Sequence, residues 1–124
     1  MKTLLFVAAG GSVGAVLRFL VSGWVYQWLG RDFPWGTLVV NVVGSFFMGF
    51  LFFLFTGRFL INSDLKTAIL VGGLGALTTF STFSIETLAL LEAGSTFSAL
   101  ANAVVSVVFC VAAVWMGMWM AKMV

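Results

Sequence analysis

The sequence predicts an all-α membrane protein, with four transmembrane helices in a single domain over residues 1–124. Three observations carry that reading. Of the 124 residues, 62% are hydrophobic and only 8% charged, with a mean hydropathy of +1.18. A soluble domain carries about 25% charged residues, so a water-facing surface cannot be built from this composition. The apolar residues gather into four runs, each near the roughly 20 residues needed to cross the hydrocarbon layer. Short polar breaks separate the runs: Gly30 to Pro34, Gly57 to Lys66, and Glu92 to Ser95.

The first span runs from about Leu4 to Leu29 with Arg18 inside it. Lys2 followed by an apolar run and Ala8-Ala9-Gly10 also has the outline of a secretory signal peptide. The apolar stretch continues well beyond Gly10, and the rest of the chain is equally apolar, which favours a span. The second span runs from about Trp35 to Phe55, just after Pro34, the only proline and a natural residue before a helix start. The third covers about Thr67 to Leu91, and the fourth about Phe97 to Ala121. Small residues four apart (Gly10 and Gly14, Gly11 and Ala15, Ser45 and Gly49, Gly72 and Ala76) let helix backbones approach closely in a membrane. Four spans place both termini on one side, with Lys2, Arg58, Lys66 and Lys122. Arg31 lies on the other, with Arg18 snorkelling toward it. The excess of positive charge gives cytoplasmic termini a slight preference and leaves insertion in both orientations open.

Composition also excludes chemistries. There is no His, so imidazole acid–base work and His-rich metal sites are absent. The single cysteine, Cys110, cannot form a disulfide within the chain and reads as a small hydrophobe in an apolar run. The net charge of +2 is scattered, with no run of like charges, which argues against a nucleic-acid partner.

Polar groups inside the spans point to function, because a polar side chain in hydrocarbon needs a partner, a cavity or a pathway. Asn41 lies well inside the second span. The third span contains Gly72-Gly73-Leu74-Gly75 and then Thr78-Thr79-Phe80-Ser81-Thr82-Phe83-Ser84, in which every non-aromatic residue bears a hydroxyl. Glycine and threonine are poor helix formers, so this helix is expected to break, freeing carbonyls near the midplane on which a cation could sit. Phe80 and Phe83, three apart, share a helix face. Their positive ring edges, with hydroxyl and amide donors, suit a small anion. Asn102, Ser106 and Cys110 form one stripe of the fourth span. All these donors are neutral, and neutral donors bind an anion weakly enough to release it. Arg18 could concentrate anions at an entrance. Glu86 is out of place on an anion route and needs a donor, Arg18 or another, or a proton.

These segments resemble a known family. Gly36-Thr37-Leu38-Val39-Val40-Asn41 and the run Gly75 to Thr87 are similar to the signature segments of the CrcB/Fluc fluoride channels, as is Arg18 after Gly10-Gly11-Ser12-Val13-Gly14. The resemblance extends over essentially the whole chain in size, number of spans and motif order. It implies an antiparallel, dual-topology homodimer of two inverted copies in the cell inner membrane, surrounded by lipid. That dimer would export toxic fluoride passively, without enzymatic activity. Asn41, Phe80 and Phe83 would line the pore, with Ser81, Thr82 and Ser106 supplying hydroxyls along it. Thr37, Arg18 and Glu86 would belong to its vestibules. Backbone carbonyls of Gly75 and Thr78 would hold a structural sodium ion at the dimer interface. Ala76 stands where many members have glycine, and Cys110 where the stripe often has a hydroxyl. Independently of the family, four short helices cannot easily enclose a pore, and an inverted second copy would bring two broken helices together. The alternative transporter is a small four-helix proton-coupled multidrug exporter. It needs an acid in the first span, where this chain has only Arg18. A non-transporting assembly subunit would explain the small-residue pairs but not the hydroxyl run.

Overall fold

A computed structural model describes all 124 residues. The chain is helical throughout and has no strand. Helix α1 (Lys2–Leu29) and helix α2 (Trp35–Gly57) are the first two crossings. The third is composite: α3 (Ser63–Thr67), a π-helical stretch (Ala68–Leu74), α4 (Gly75–Leu77) and, beyond a two-residue break, α5 (Phe80–Glu92). Helix α6 (Thr96–Met123) is the fourth. All four crossings are long and apolar enough to span a membrane, so the chain is a multi-pass membrane protein. Their bounds lie within a few residues of the hydropathy reading.

The local signals act as sequence chemistry requires. Helix α1 stops at Gly30, whose φ of 79° is open to glycine and unfavourable for other residues, and whose N–H bonds the Tyr26 carbonyl. Asn62 caps α3 by accepting from the Asp64 N–H at 2.8 Å. Thr3 donates to Asp64 Oδ1 at 2.6 Å, and Arg58 donates to the Lys122 carbonyl at 3.3 Å. Both termini and the Arg58–Asn62 connection therefore share one end of the bundle, as four crossings demand. The α1–α2 and α5–α6 connections lie at the other.

Backbone-to-backbone packing holds the bundle. A Cβ at Gly10 or Gly14 would fall on the carbonyl of Ala68 or Gly73 in the π-helical stretch. Likewise, a Cβ at Gly49 would strike the Val114 carbonyl, and one at Gly117 the Phe46 carbonyl, where α2 meets α6. Gly10–Gly14 is thus a packing seam in the sense expected. Gly11 differs, since a Cβ there would meet nothing; α1 presents its Gly10 face to the third crossing and turns Gly11 away. Only 20 of 124 residues are buried, half of them glycine or alanine and the rest mainly leucine and small polar residues, while large apolar residues such as Phe19, Trp28, Phe97 and Trp115 point outward. An exterior of that kind suits lipid or another apolar surface, not water. Trp24, Trp28 and Trp35 gather toward one end and Trp115 and Trp119 toward the other, as interfacial anchors do.

Candidate ion pathway at the helix break

The third crossing breaks where glycine and threonine lower helix propensity. Thr78 and Thr79 are both extended, with ψ of 156° and 118°. Asn41 on α2 holds the break through both halves of its amide. Its Nδ2 donates to the Thr79 carbonyl at 3.0 Å, and the Thr79 N–H donates to Asn41 Oδ1 at 2.7 Å. The Thr79 hydroxyl then caps α5, accepting from the Thr82 N–H at 3.1 Å. In an unbroken α-helix, the N–H groups of Thr79 and Thr82 would bond the carbonyls of Gly75 and Thr78, four residues back. Here those donors go to Asn41 and to the Thr79 side chain instead. The Gly75 and Thr78 carbonyls have therefore lost their helical donors.

One side of the break opens into a groove of about 310 Å³ lined by Asn41, Phe80, Phe83, Ser106 and Cys110, among others. The two rings have centroids 5.3 Å apart and are tilted by 42°. Phe80 is 77% exposed, so its ring has a face that this chain leaves uncovered. No ionisable group other than the Cys110 thiol lines this groove. Its polar wall is fixed by a chain of bonds across α5 and α6. Ser106 donates to Asn102 Oδ1 at 3.3 Å, Asn102 Nδ2 donates to the Thr87 hydroxyl at 2.9 Å, and Thr87 donates to the Phe83 carbonyl at 2.7 Å. Asn102 is 1% exposed. It is a brace between Ser106 and the Phe83 backbone, while Ser106 and Cys110 of the same stripe reach the groove.

The other anticipated residues are distributed around the break. Arg18, Thr37 and Thr82 line a second groove of about 230 Å³, which Thr79 also borders. Ser81 is exposed, lines neither groove, and has its hydroxyl 3.3 Å from that of Thr79. Glu86 lines a third cavity with Tyr26, Arg31 and Asp32. Its bonded donor is the Tyr26 hydroxyl at 2.8 Å, not Arg18. Sequence reasoning passed over Tyr26, Thr79 and Thr87. The signal for Tyr26 was available, since it is the only tyrosine and lies inside an apolar span. Thr79 and Thr87 were hidden among many hydroxyls.

The donor set at the break fits a monovalent cation better than a transition metal. No group of three His, Cys, Asp or Glu gathers anywhere in the chain. The Gly75 and Thr78 carbonyls are neutral, hard oxygens without helical donors, the kind of ligand that unwound membrane helices offer to sodium. Gly75 is exposed, so its backbone is open to a neighbouring molecule.

The family described as CrcB-like protein, Camphor Resistance (CrcB), matches residues 5–118. A relative from Magnetococcus marinus, named fluoride-specific ion channel FluC, is 55% identical over 96% of this chain and 97% of its own length. One of the same name from Methylococcus capsulatus is 55% identical over 97% of this chain and 53% of its own, longer sequence. Another from Hydrogenovibrio crunogenus is 48% identical over 96% of this chain and 90% of its own.

Proposed function

The chain belongs to the CrcB family, whose members are ion channels and not enzymes, and on that footing we propose that it is a fluoride-selective channel letting toxic fluoride leave the cell passively. The observation that carries the reading is the groove at the break, where an amide, a hydroxyl and two phenylalanine rings from three crossings converge. The ring edges and the second Asn41 N–H, which no bond within the chain uses, can replace part of an anion's hydration shell without a full positive charge to trap it, and Ser106 would turn its proton from Asn102 toward a passing ion. Arg18, beside Thr37 and Thr82 in the second groove, raises the anion concentration at an entrance. Thr82 supplies a hydroxyl at that entrance, and the exposed Ser81 would supply another where a second copy covers it.

The working unit in this proposal is an antiparallel pair of copies in the cell inner membrane. The exposed ring of Phe80 and the exposed Gly75 and Ser81 support it, because they leave one side of the break for a second molecule to complete. The Gly75 and Thr78 carbonyls of both copies would hold a sodium ion, which supplies positive charge that ties two broken helices together. The Asn41 clamp keeps those carbonyls from refolding into a continuous helix.

Efflux from liposomes containing the purified protein, followed with a fluoride and then a chloride electrode, tests the function. Rapid loss of fluoride without loss of chloride is the expected result. Folded, dimeric protein that passes neither ion would overturn it.

A further inference from the structure

Glu86 poses a problem for an anion route, and the structure contains its solution. On α5, Glu86 lies one turn beyond Thr82, so the two share a helix face. Thr82 lines the groove that holds Arg18 and Thr37. A carboxylate extended along that face would repel an anion or neutralise Arg18, and in a low-dielectric site either effect is large. Instead the Glu86 carboxylate lines a separate cavity of about 270 Å³. Its Oε1 accepts from the Tyr26 hydroxyl at 2.8 Å, and its Oε2 is buried without a partner. Since the Tyr26 proton goes to Glu86, the Thr37 hydroxyl, 3.4 Å away, is the donor to Tyr26. The tyrosine ring is itself held. A Cβ at Gly36 would stand 2.5 Å from ring atom Cε2, so only glycine leaves the ring its place, and the Arg31 guanidinium lies over the ring at 5.0 Å.

Resting on the channel reading, we propose that Tyr26 is a positioning residue that holds the Glu86 carboxylate out of the anion path, tying α1, α2 and α5 together at one vestibule. Gly36 serves the same end by admitting the ring. Arg31 and Asp32, the other charged groups lining the cavity, flank the sequestered carboxylate.

The test uses fluoride efflux from liposomes for the wild-type chain, Tyr26→Phe and the double variant Tyr26→Phe with Glu86→Gln. Phenylalanine keeps the ring and removes only the tether. Tyr26→Phe is expected to slow efflux about tenfold, the scale of one lost charge-assisted hydrogen bond. Adding Glu86→Gln, which removes the stray charge at constant shape, should restore most of the rate. The slowing should also shrink as ionic strength rises. Efflux unchanged in Tyr26→Phe, or a double variant as slow as the single one, overturns the proposal, since a purely structural tyrosine would not be rescued by neutralising Glu86. If Tyr26→Phe does not fold, Gly36→Ala displaces the ring with its hydroxyl intact, and the same loss and rescue are required of it. Fluoride flux in the wild-type chain keeps the two failures apart, because its absence removes the channel reading itself.

Discussion

Asn41 uses both the oxygen and the nitrogen of its amide at the break, and the geometry sets what a substitution does there. Asn41→Asp keeps the shape but turns a carboxylate oxygen toward the Thr79 carbonyl, replacing a donor with a repulsion. A buried polar group left without its partner costs about 1–3 kcal/mol, more when charged. We expect a lower melting temperature in detergent and loss of fluoride efflux together. Phe80→Ile and Phe83→Ile differ, because neither ring makes a hydrogen bond that holds the fold. Each should cut fluoride efflux while the elution volume from size-exclusion chromatography stays that of the wild-type protein, and undiminished flux would remove the rings from the path. The positions of these residues were legible in the sequence, since an amide or a crowd of hydroxyls inside an apolar span is conspicuous. Their partners were not. Nothing in a single sequence says that Asn41 meets the backbone of Thr79, or that Glu86 meets Tyr26 sixty residues away, because helix rotation and depth are set by packing between spans.

Among the elements, the third crossing shows how far local chemistry can be read. Low propensity in a Gly- and Thr-rich run announced a break, and the break lies at Thr78–Thr79 as that argument requires. The π-helical stretch Ala68–Leu74 had no separate signal. Periodicity alone does not distinguish a widened helix from an ordinary one over seven residues, although such stretches concentrate at functional sites. Capping at the break is testable. Thr79→Val removes the oxygen that accepts from the Thr82 N–H while nearly keeping volume. It should destabilise the protein by about 1 kcal/mol, readable as a shifted thermal transition, and should slow efflux through the disordered start of α5. Gly10→Val probes the seam between α1 and the π-helical stretch. Its side chain would strike the Ala68 carbonyl, so loss of folded protein is expected, whereas Gly11→Val, directed into open space, should be tolerated.

At the scale of the whole molecule, hydropathy delivered the number of crossings and their approximate bounds, since each run is long and apolar enough to cross and short polar breaks separate them. How two copies would meet lies beyond one sequence, because the same Leu and Phe side chains suit lipid and a partner alike. The proposed antiparallel pair makes a measurable claim. A cysteine introduced at Lys122 on a cysteine-free background should be labelled by a membrane-impermeant maleimide in about half of the molecules, the fraction that two equally populated orientations give. Labelling of all or none would refute inversion. Replacing sodium with a large organic cation should weaken the pair and slow efflux. The carbonyls of Gly75 and Thr78, stripped of their helical donors at membrane depth, have one more consequence. An unsatisfied backbone group in hydrocarbon costs several kcal/mol, so if the working unit is the proposed pair, a solitary copy would be a strained intermediate exposed to quality-control proteolysis. On that proposal, resistance to fluoride in the cell should rise more steeply than linearly with gene dosage at low expression, because each newly made chain would have to find its mate before it is destroyed.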